Sequence, residues 1–244
     1  MEPAFCRTDS HVSACPQFFA RQTPSHVDRS QLILQWALRI YDQDILLASS
    51  LGPQSLVILD LLSRMDCSVR TVFLDTGLLF EETLRLKDRV ERHFGMQIES
   101  VTPELSVEAM AQAEGPALWD RDPNRCCALR KTAPLRGALQ GAGAWITGIR
   151  RSHSSTRAQA MPVEWDEQYE LVKVNPLVAW SREQVMEYLE ENRVPFNPLL
   201  KDGYPSIGCK PCTSRVAPGG DERAGRWKGS GKTECGLHGG TTKR

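Results

Sequence analysis

The chain has 244 residues, 41% hydrophobic and 25% charged, with a formal net charge of zero, the balance of an ordinary globular protein long enough to bury a full core without disulfide staples. Zero net charge argues against general nucleic-acid binding, and no run reaches the roughly 18 apolar residues of a membrane span. The start, MEPAFCRTDSH, lacks the basic and apolar stretches of a secretory signal, so the expectation is a cytoplasmic protein engaging neither nucleic acid nor membrane.

Residues 1–27 are polar and proline-containing and read as a loose N-terminal arm. Ser30 is expected to cap a helix over 31–41, whose apolar residues recur at helical spacing. Residues 44–48 form a short continuous apolar run, the pattern of a strand buried on both faces. A turn over 49–53 leads into a helix at 54–64, and residues 69–74 give a second strand. Asp75-Thr76-Gly77 and a helix over 81–94 follow. Further strands are expected at 97–101, 144–147 and 171–174, and a last helix at 181–192. This alternation predicts an α/β domain over 28–214, a mostly parallel sheet with helices on both faces. Such sheets bind ligands at the carboxyl ends of their strands. Beyond Pro195 glycine and proline become dense, which predicts a cysteine-bearing loop and then a mobile C-terminal tail over 215–244.

Charge is unevenly spread. Residues 121–157 hold eight Lys/Arg against one acid, and residues 215–244 hold seven against three. Two basic segments on a neutral protein point to a focused site for a small multiply charged anion. Ser49-Ser50-Leu51-Gly52-Pro53-Gln54-Ser55, between strand and helix, suits such an anion, because backbone N–H groups, serine hydroxyls and a helix N-terminus meet there. It is neither a Walker A loop nor a dinucleotide fingerprint.

Eight cysteines in a reducing compartment indicate metal or redox chemistry more than disulfides. Cys126-Cys127 and Cys209-Lys210-Pro211-Cys212 are the strongest group. A C-x-x-C pair chelates, whereas adjacent cysteines diverge and suit separate corners of a cubane better than one zinc ion. Four thiolates match the ligand count of a [4Fe–4S] cluster. Cys6, Cys15 and Cys67 show no partner pattern. The fifth functional candidate is Cys235, in a glycine-rich basic segment with His238 three residues on, a setting that favours a nucleophilic thiolate.

Together, Cys126-Cys127, Cys209-Lys-Pro-Cys212 and Glu-Cys235-Gly-Leu-His238 resemble the thioredoxin-dependent adenylyl-sulfate (APS) reductases, close relatives of the phosphoadenylyl-sulfate (PAPS) reductases. Supporting stretches are Leu74-Asp75-Thr76-Gly77, Ile146-Thr147-Gly148-Ile149-Arg150-Arg151 with Thr156-Arg157, Val174-Asn175-Pro176-Leu177, Gly203-Tyr204-Pro205-Ser206-Ile207-Gly208 and Gly225-Arg226-Trp227. The resemblance implies an adenine-nucleotide alpha-hydrolase-like fold of the pyrophosphatase-loop type, and conversion of adenylyl sulfate and reduced thioredoxin to sulfite and AMP through a Cys235 S-sulfonate. It implies a [4Fe–4S] cluster on Cys126, Cys127, Cys209 and Cys212, which fixes the 127–131 segment and tunes the field at the sulfate. Lys131 is then expected between cluster and substrate, with Ser49 and Ser50 in the phosphate loop and Leu74 and Gly148 against the adenosine. Arg157, Arg223 and Arg226 are expected to meet the phosphosulfate, as are, less directly, Arg150 and Arg151. His238 is expected to steady the thiolate or the anion. Relatives assemble as homo-oligomers.

The loop leaves the nucleotide open. Ser-Ser-x-Gly-x-Gln is closer to PAPS reductases, while the paired cysteines favour APS, so PAPS or dual specificity stands as the alternative. An ATP-using thiolation enzyme lacks its Ser-Gly-Gly-x-Asp-Ser loop here. A non-catalytic iron–sulfur or zinc redox sensor leaves Cys235 and the arginine-rich tail without a purpose.

Overall fold

The computed structural model describes residues 25–65 and 67–238; Cys6, Cys15 and nearly all of the expected arm lie outside the described residues. Helix α1 (His26–Tyr41) begins five residues earlier than the sequence suggested, capped by Ser25, whose Oγ accepts from the Asp28 N–H at 3.1 Å. Ser30 is therefore no cap. It is fully buried, donates to the Pro176 carbonyl at 2.8 Å and accepts from Trp180 Nε1 at 2.9 Å. A serine inside a helix is tolerated where its hydroxyl joins two other elements.

Strand β1 (Ile45–Ser49) runs through Gly52 into α2 (Pro53–Arg64), with proline in the first turn, where its missing N–H costs nothing. Every residue of α2 from Ser55 to Leu62 is buried. Asp60, which interrupts that apolar run, accepts from Tyr188 Oη and from Arg64 Nε, each at 2.6 Å; the buried carboxylate is paired and ties α2 to the last helix. Then come β2 (Arg70–Leu74), α3 (Glu81–Phe94) and β3 (Glu99–Val101).

The sequence reading assigned no element between residues 102 and 143. The structure places α4 (Val107–Glu114), α5 (Leu118–Arg121), α6 (Pro123–Cys127) and α7 (Ala133–Ala138) there. A π turn over Ala128–Thr132 joins α6 to α7. Pro134 explains it: the ring has no N–H to return to the Arg130 carbonyl and would collide with it in a regular helix, so the turn widens. Next are β4 (Ala144–Ile146), β5 (Val163–Asp166), β6 (Leu171–Val174) and α8 (Arg182–Glu191), the last opened by a Ser181–Gln184 capping box.

The six strands lie in the order β3-β2-β1-β4-β6-β5, parallel except for β5, which pairs antiparallel with β6 at one edge. Leu171–Val174 is thus the sixth strand in chain order, not the fifth. One face packs Leu47, Phe73 and Ile146 against α1, α2 and α8; the other packs Leu46, Val72 and Trp145 against Leu135, Ala138 and Leu139 around α7. The chain leaves β1 in one direction to build β2 and β3, then returns to place β4 on its other side. That reversal opens a crevice at the carboxyl ends of β1 and β4, where such sheets bind ligands.

From Ser206 to His238 the chain folds back over this crevice. Thr213 bridges Arg226, the Ser214 N–H donates to the Gly225 carbonyl at 2.8 Å, and the Trp227 N–H donates to the Cys212 carbonyl at 3.1 Å. No described helix is long and apolar enough to cross a membrane.

Candidate active site

The crevice is a cleft of about 190 Å³. Its floor is the loop after β1, in which Leu51 adopts a left-handed conformation (φ 52°). Ser49 shapes this turn from below: buried, it donates to Ser55 Oγ at 3.0 Å and accepts from the Leu51 N–H at 3.0 Å. Its hydroxyl is thus engaged in the loop, and Ser50 is the exposed hydroxyl at the rim. Gly148, just past β4, has to be glycine, since a Cβ there would stand 2.9 Å from Gln54 Cβ and 3.4 Å from the Ser55 nitrogen. Leu74 reaches the cleft from the end of β2.

Cations form the opposite wall. Lys131, in the π turn, lines the cleft with Arg157, Arg223 and Arg226. Burial works against its charge, but nearby Cys209 and Cys235 raise its pKa. The π turn also aims Arg130 the other way, into the interior, where Nε donates to the Thr76 carbonyl at 2.5 Å and Nη1 to Leu105 at 3.1 Å. Arg226 lies over the buried Trp227 indole at 4.4 Å, with Arg223 and Lys232 over the same ring at 5.5 and 5.6 Å. Its guanidinium fills the space a Cβ would need at Gly208, so a larger residue there would have to push Arg226 aside. Arg150 and Arg151 do not line the cleft. Arg150 is fully buried and bonds Glu222 at 3.0 Å, fastening the tail; Arg151 is exposed and donates to the Ala160 carbonyl.

Cys235 lines the same cleft, half-buried. Burial disfavours its thiolate, but Lys131, the Leu237 N–H and Arg157 outweigh that and hold its pKa below the usual thiol value. Glu234 beside it carries five hydrogen bonds: Arg157 Nε and Nη2 at 3.0 and 2.8 Å, Arg223 Nη2 at 3.1 Å, Ser154 Oγ at 2.9 Å and Thr156 Oγ1 at 3.1 Å. His238 stacks on Trp145 with ring centroids 5.4 Å apart. Burial, with Arg157 and Lys173 nearby, drives its pKa well below the ordinary value. It is a ring on a platform, held toward the neutral form, beside Cys235 in the same cleft. His153 is likewise held neutral, its pKa lowered to about 2 by burial and the surrounding arginines, and accepts through Nδ1 from Arg157 at 3.1 Å.

Behind Lys131, the side chains of Cys126, Cys127, Cys209 and Cys212 line one small interior cavity with Leu78, Arg130 and Trp227. None is in a disulfide. Thr76 Oγ1 lies 3.2 Å from Cys209 Sγ. Burial, and then the neighbouring thiols, push Cys126 up to about 12 and Cys212 up to about 11. Among the described residues no group of three or more His, Cys, Asp or Glu is arranged to hold a single metal ion. Adjacent residues on a helix point about 100° apart, so Cys126 and Cys127 cannot both face one tetrahedral ion and suit a cluster with separate metal corners. A wider surface groove of about 1020 Å³ lies at the amino ends of β2 and β3, lined by Arg70, Glu91 and Glu99 among others, away from all of these groups.

Cys126, Cys127, Cys209, Cys212 and Cys235, expected from spacing and resemblance, therefore meet around Lys131. Sequence reasoning quoted Thr76, Thr156, Trp227 and Glu234 within its motifs without giving them a role, and did not single out Arg130, Trp145 or Ser154. Glu234 had a signal, an acid directly before the cysteine in a basic tail. Trp145 had none.

The phosphoadenosine phosphosulfate reductase domain matches residues 44–215, which include both cysteine pairs but not Cys235. Over 207 residues the chain is 46% identical to an adenosine 5'-phosphosulfate reductase of Staphylococcus epidermidis, covering 84% of this chain and 85% of that protein. It is 47% identical over 211 residues to a phosphoadenosine 5'-phosphosulfate reductase of Gloeobacter violaceus, covering 85% and 88%. The phosphoadenylyl-sulfate reductase of Candida auris, solved as a phosphate complex, superposes with a TM-score of 0.73 at 28% identity, over 87% of this chain and 99% of that one.

Proposed function

The chain belongs to the phosphoadenosine phosphosulfate reductase family, and from that premise we propose that it reduces adenylyl sulfate to sulfite and AMP in the cytoplasm, for sulfate assimilation, with thioredoxin or a similar dithiol protein as reductant. The observation that carries this reading is the meeting of Cys235, Lys131 and the loop after β1 in one cleft at the sheet's switch point.

The nucleotide lies along the loop after β1, with Leu74 and Gly148 lining the adenosine side and the sulfate toward Cys235. The Cys235 thiolate attacks the sulfate sulfur; an S–S bond forms, the bond from sulfur to the bridging oxygen breaks, and AMP leaves with that electron pair. Both reactants are anionic, so the approach needs fixed cations in a site with little water; Lys131 and Arg226 supply them. A thiolate of the dithiol protein then attacks Cys235 Sγ and releases sulfite with the S–S electron pair. Its second thiol resolves the mixed disulfide and returns Cys235. Sulfur falls from the +6 to the +4 state as one dithiol becomes a disulfide.

Cys126, Cys127, Cys209 and Cys212 would hold a [4Fe–4S] cluster. Bound there, the group supplies a rigid cross-link between α6 and the 209–212 loop and a fixed charge behind Lys131. We expect a homo-oligomer.

The test is sulfite release by anaerobically purified protein from adenylyl sulfate and from its 3'-phosphorylated form, each with reduced thioredoxin. Turnover of the first with little of the second supports the reading, and sulfite from neither overturns it. The second reading, preference for the 3'-phosphorylated nucleotide, is favoured by the Ser49-Ser50-Leu51-Gly52 loop and by the name of the 47% identical relative.

A further inference from the structure

We propose that Glu234 is the positioning residue that seats Cys235, holding the protein's own tail onto Ser154, Thr156, Arg157 and Arg223. This rests on the reading of Cys235 as the nucleophile.

The carboxylate of Glu234 occupies a preformed anion nest. Four side chains from two segments, Ser154, Thr156 and Arg157 on one and Arg223 on the other, direct five hydrogen bonds onto its two oxygens. A carboxylate offers about four lone-pair positions, so its oxygens are saturated. The side chains of Arg157, Arg223 and Glu234 are only 10%, 12% and 15% exposed. A salt link on an open surface contributes little, but one this shielded and multiply hydrogen-bonded holds a chain in place.

Two other cations that line the cleft stand outside this nest. Among the described residues Lys131 and Arg226 have no carboxylate partner: Arg226 donates only to the Cys212 carbonyl and Ser206 Oγ, and no acid lies within ion-pair distance of Lys131. Both line the cleft with Cys235. An incoming anion meets two free cations without displacing Glu234.

The other side of Cys235 is anchored independently. The Gly236 carbonyl accepts from Gln168 Nε2 at 2.9 Å, Leu237 packs on the apolar face around α7, and His238 stacks on Trp145. Cys235 thus sits between a polar latch and an apolar one. Fixing a nucleophile between two anchors removes the ordering cost from the reactive step, an effect that falls on kcat rather than on nucleotide affinity.

The experiment uses the full chain and the variant Glu234→Gln. Trypsin releases residues 233–243, in which Cys235 is the only cysteine, so iodoacetamide labelling of Cys235 is read by mass spectrometry without interference from the other thiols. Labelling is measured on the plateau above the thiol's titration, where a changed charge next door no longer alters the thiolate fraction. Loss of a charged hydrogen-bonded contact is expected to raise that plateau rate about tenfold, and to lower kcat about tenfold with KM for the nucleotide held within about threefold. Ser154→Ala, which removes one donor and leaves both arginines, is expected to shift labelling in the same direction by less. An unchanged labelling rate and unchanged turnover would overturn the latch. Faster turnover by Glu234→Gln would also overturn it, since Glu234 would then be a plug in the substrate's own site. Cys235→Ser separates this from the underlying reading: if it still releases sulfite, the nucleophile assignment fails and not the latch alone.

Discussion

Lys131 is the side chain on which the two halves of the site converge, close enough to Cys235, Cys127 and Cys209 for each to bear on its charge. With burial opposing ionisation of Cys235 and Lys131 first among the groups favouring it, Lys131→Met should move the midpoint of Cys235 labelling to higher pH. Turnover should fall by about 10²-fold, the usual cost of one charged donor to a developing anion. A midpoint that did not move would mean that Arg157 and the Leu237 N–H suffice. Glu91 offers a contrast far from the cleft. Burial would raise its pKa, but Lys87 at 2.9 Å and the Ile98 N–H at 2.7 Å hold it below the ordinary carboxylate value. A depressed carboxylate contributes stability above its unfolded pKa and loses it as pH falls through the folded one. Glu91→Gln should therefore cost about 1 kcal/mol in chemical denaturation at neutral pH, and the gap should close below about pH 4. Sulfite release at room temperature should not change.

At the scale of elements, the π turn between α6 and α7 decides which way Arg130 and Lys131 point. It carries one residue more than a regular turn, so deleting the exposed Ala128 should let the helix close regularly and rotate Cys126 and Cys127 by about 100° relative to α7. The expected result is a folded protein by circular dichroism that retains little iron and sulfide after anaerobic purification, where the proposed cluster would give the native chain about four of each. The sequence showed neither this turn nor the helices around it. Pro123 and Pro134 interrupt the pattern, and the short helices over 107–138 bury few residues each, so their apolar spacing is too sparse for a periodic signal. β5 was hidden for a different reason: Val163–Asp166 is an edge strand with Trp165 exposed, and four residues of weak alternation do not stand out. β1, β2 and β4 were legible because central parallel strands are buried on both sides and read as unbroken apolar runs. Ser30 misled because a cap is a backbone conformation, and a serine's letter does not reveal that its hydroxyl is needed elsewhere. The gathering of Cys126, Cys127, Cys209 and Cys212 beside Cys235 was legible in their spacings; the role of Glu234 was not, because the nest that receives it is assembled from Ser154, Thr156, Arg157 and Arg223, which the sequence scatters over 70 residues.

In the whole molecule, one sheet reversal gathers every part of the site: the loop after β1 supplies the floor, the segment after β4 supplies Arg157, and the chain beyond Cys212 returns across the opening. The fold below that return is complete without it. A chain ending at Lys228 should keep the iron and sulfide of the proposed cluster and bind AMP within about threefold of the full chain by calorimetry, with Lys131 and Arg226 in place, and release no sulfite. Loss of nucleotide binding would show instead that the last ten described residues build the pocket. The pinning of Trp227 to the Cys212 carbonyl then fixes a length. Cys235 lies eight residues beyond that peg, a strap whose full extension is at most about 28 Å. When lifted, the thiol stays leashed within that radius and meets the cleft again at a millimolar effective concentration. The proposed reductant protein would have only to reach the edge of this sphere, so the leash would let one sulfur serve the cleft and a partner in turn.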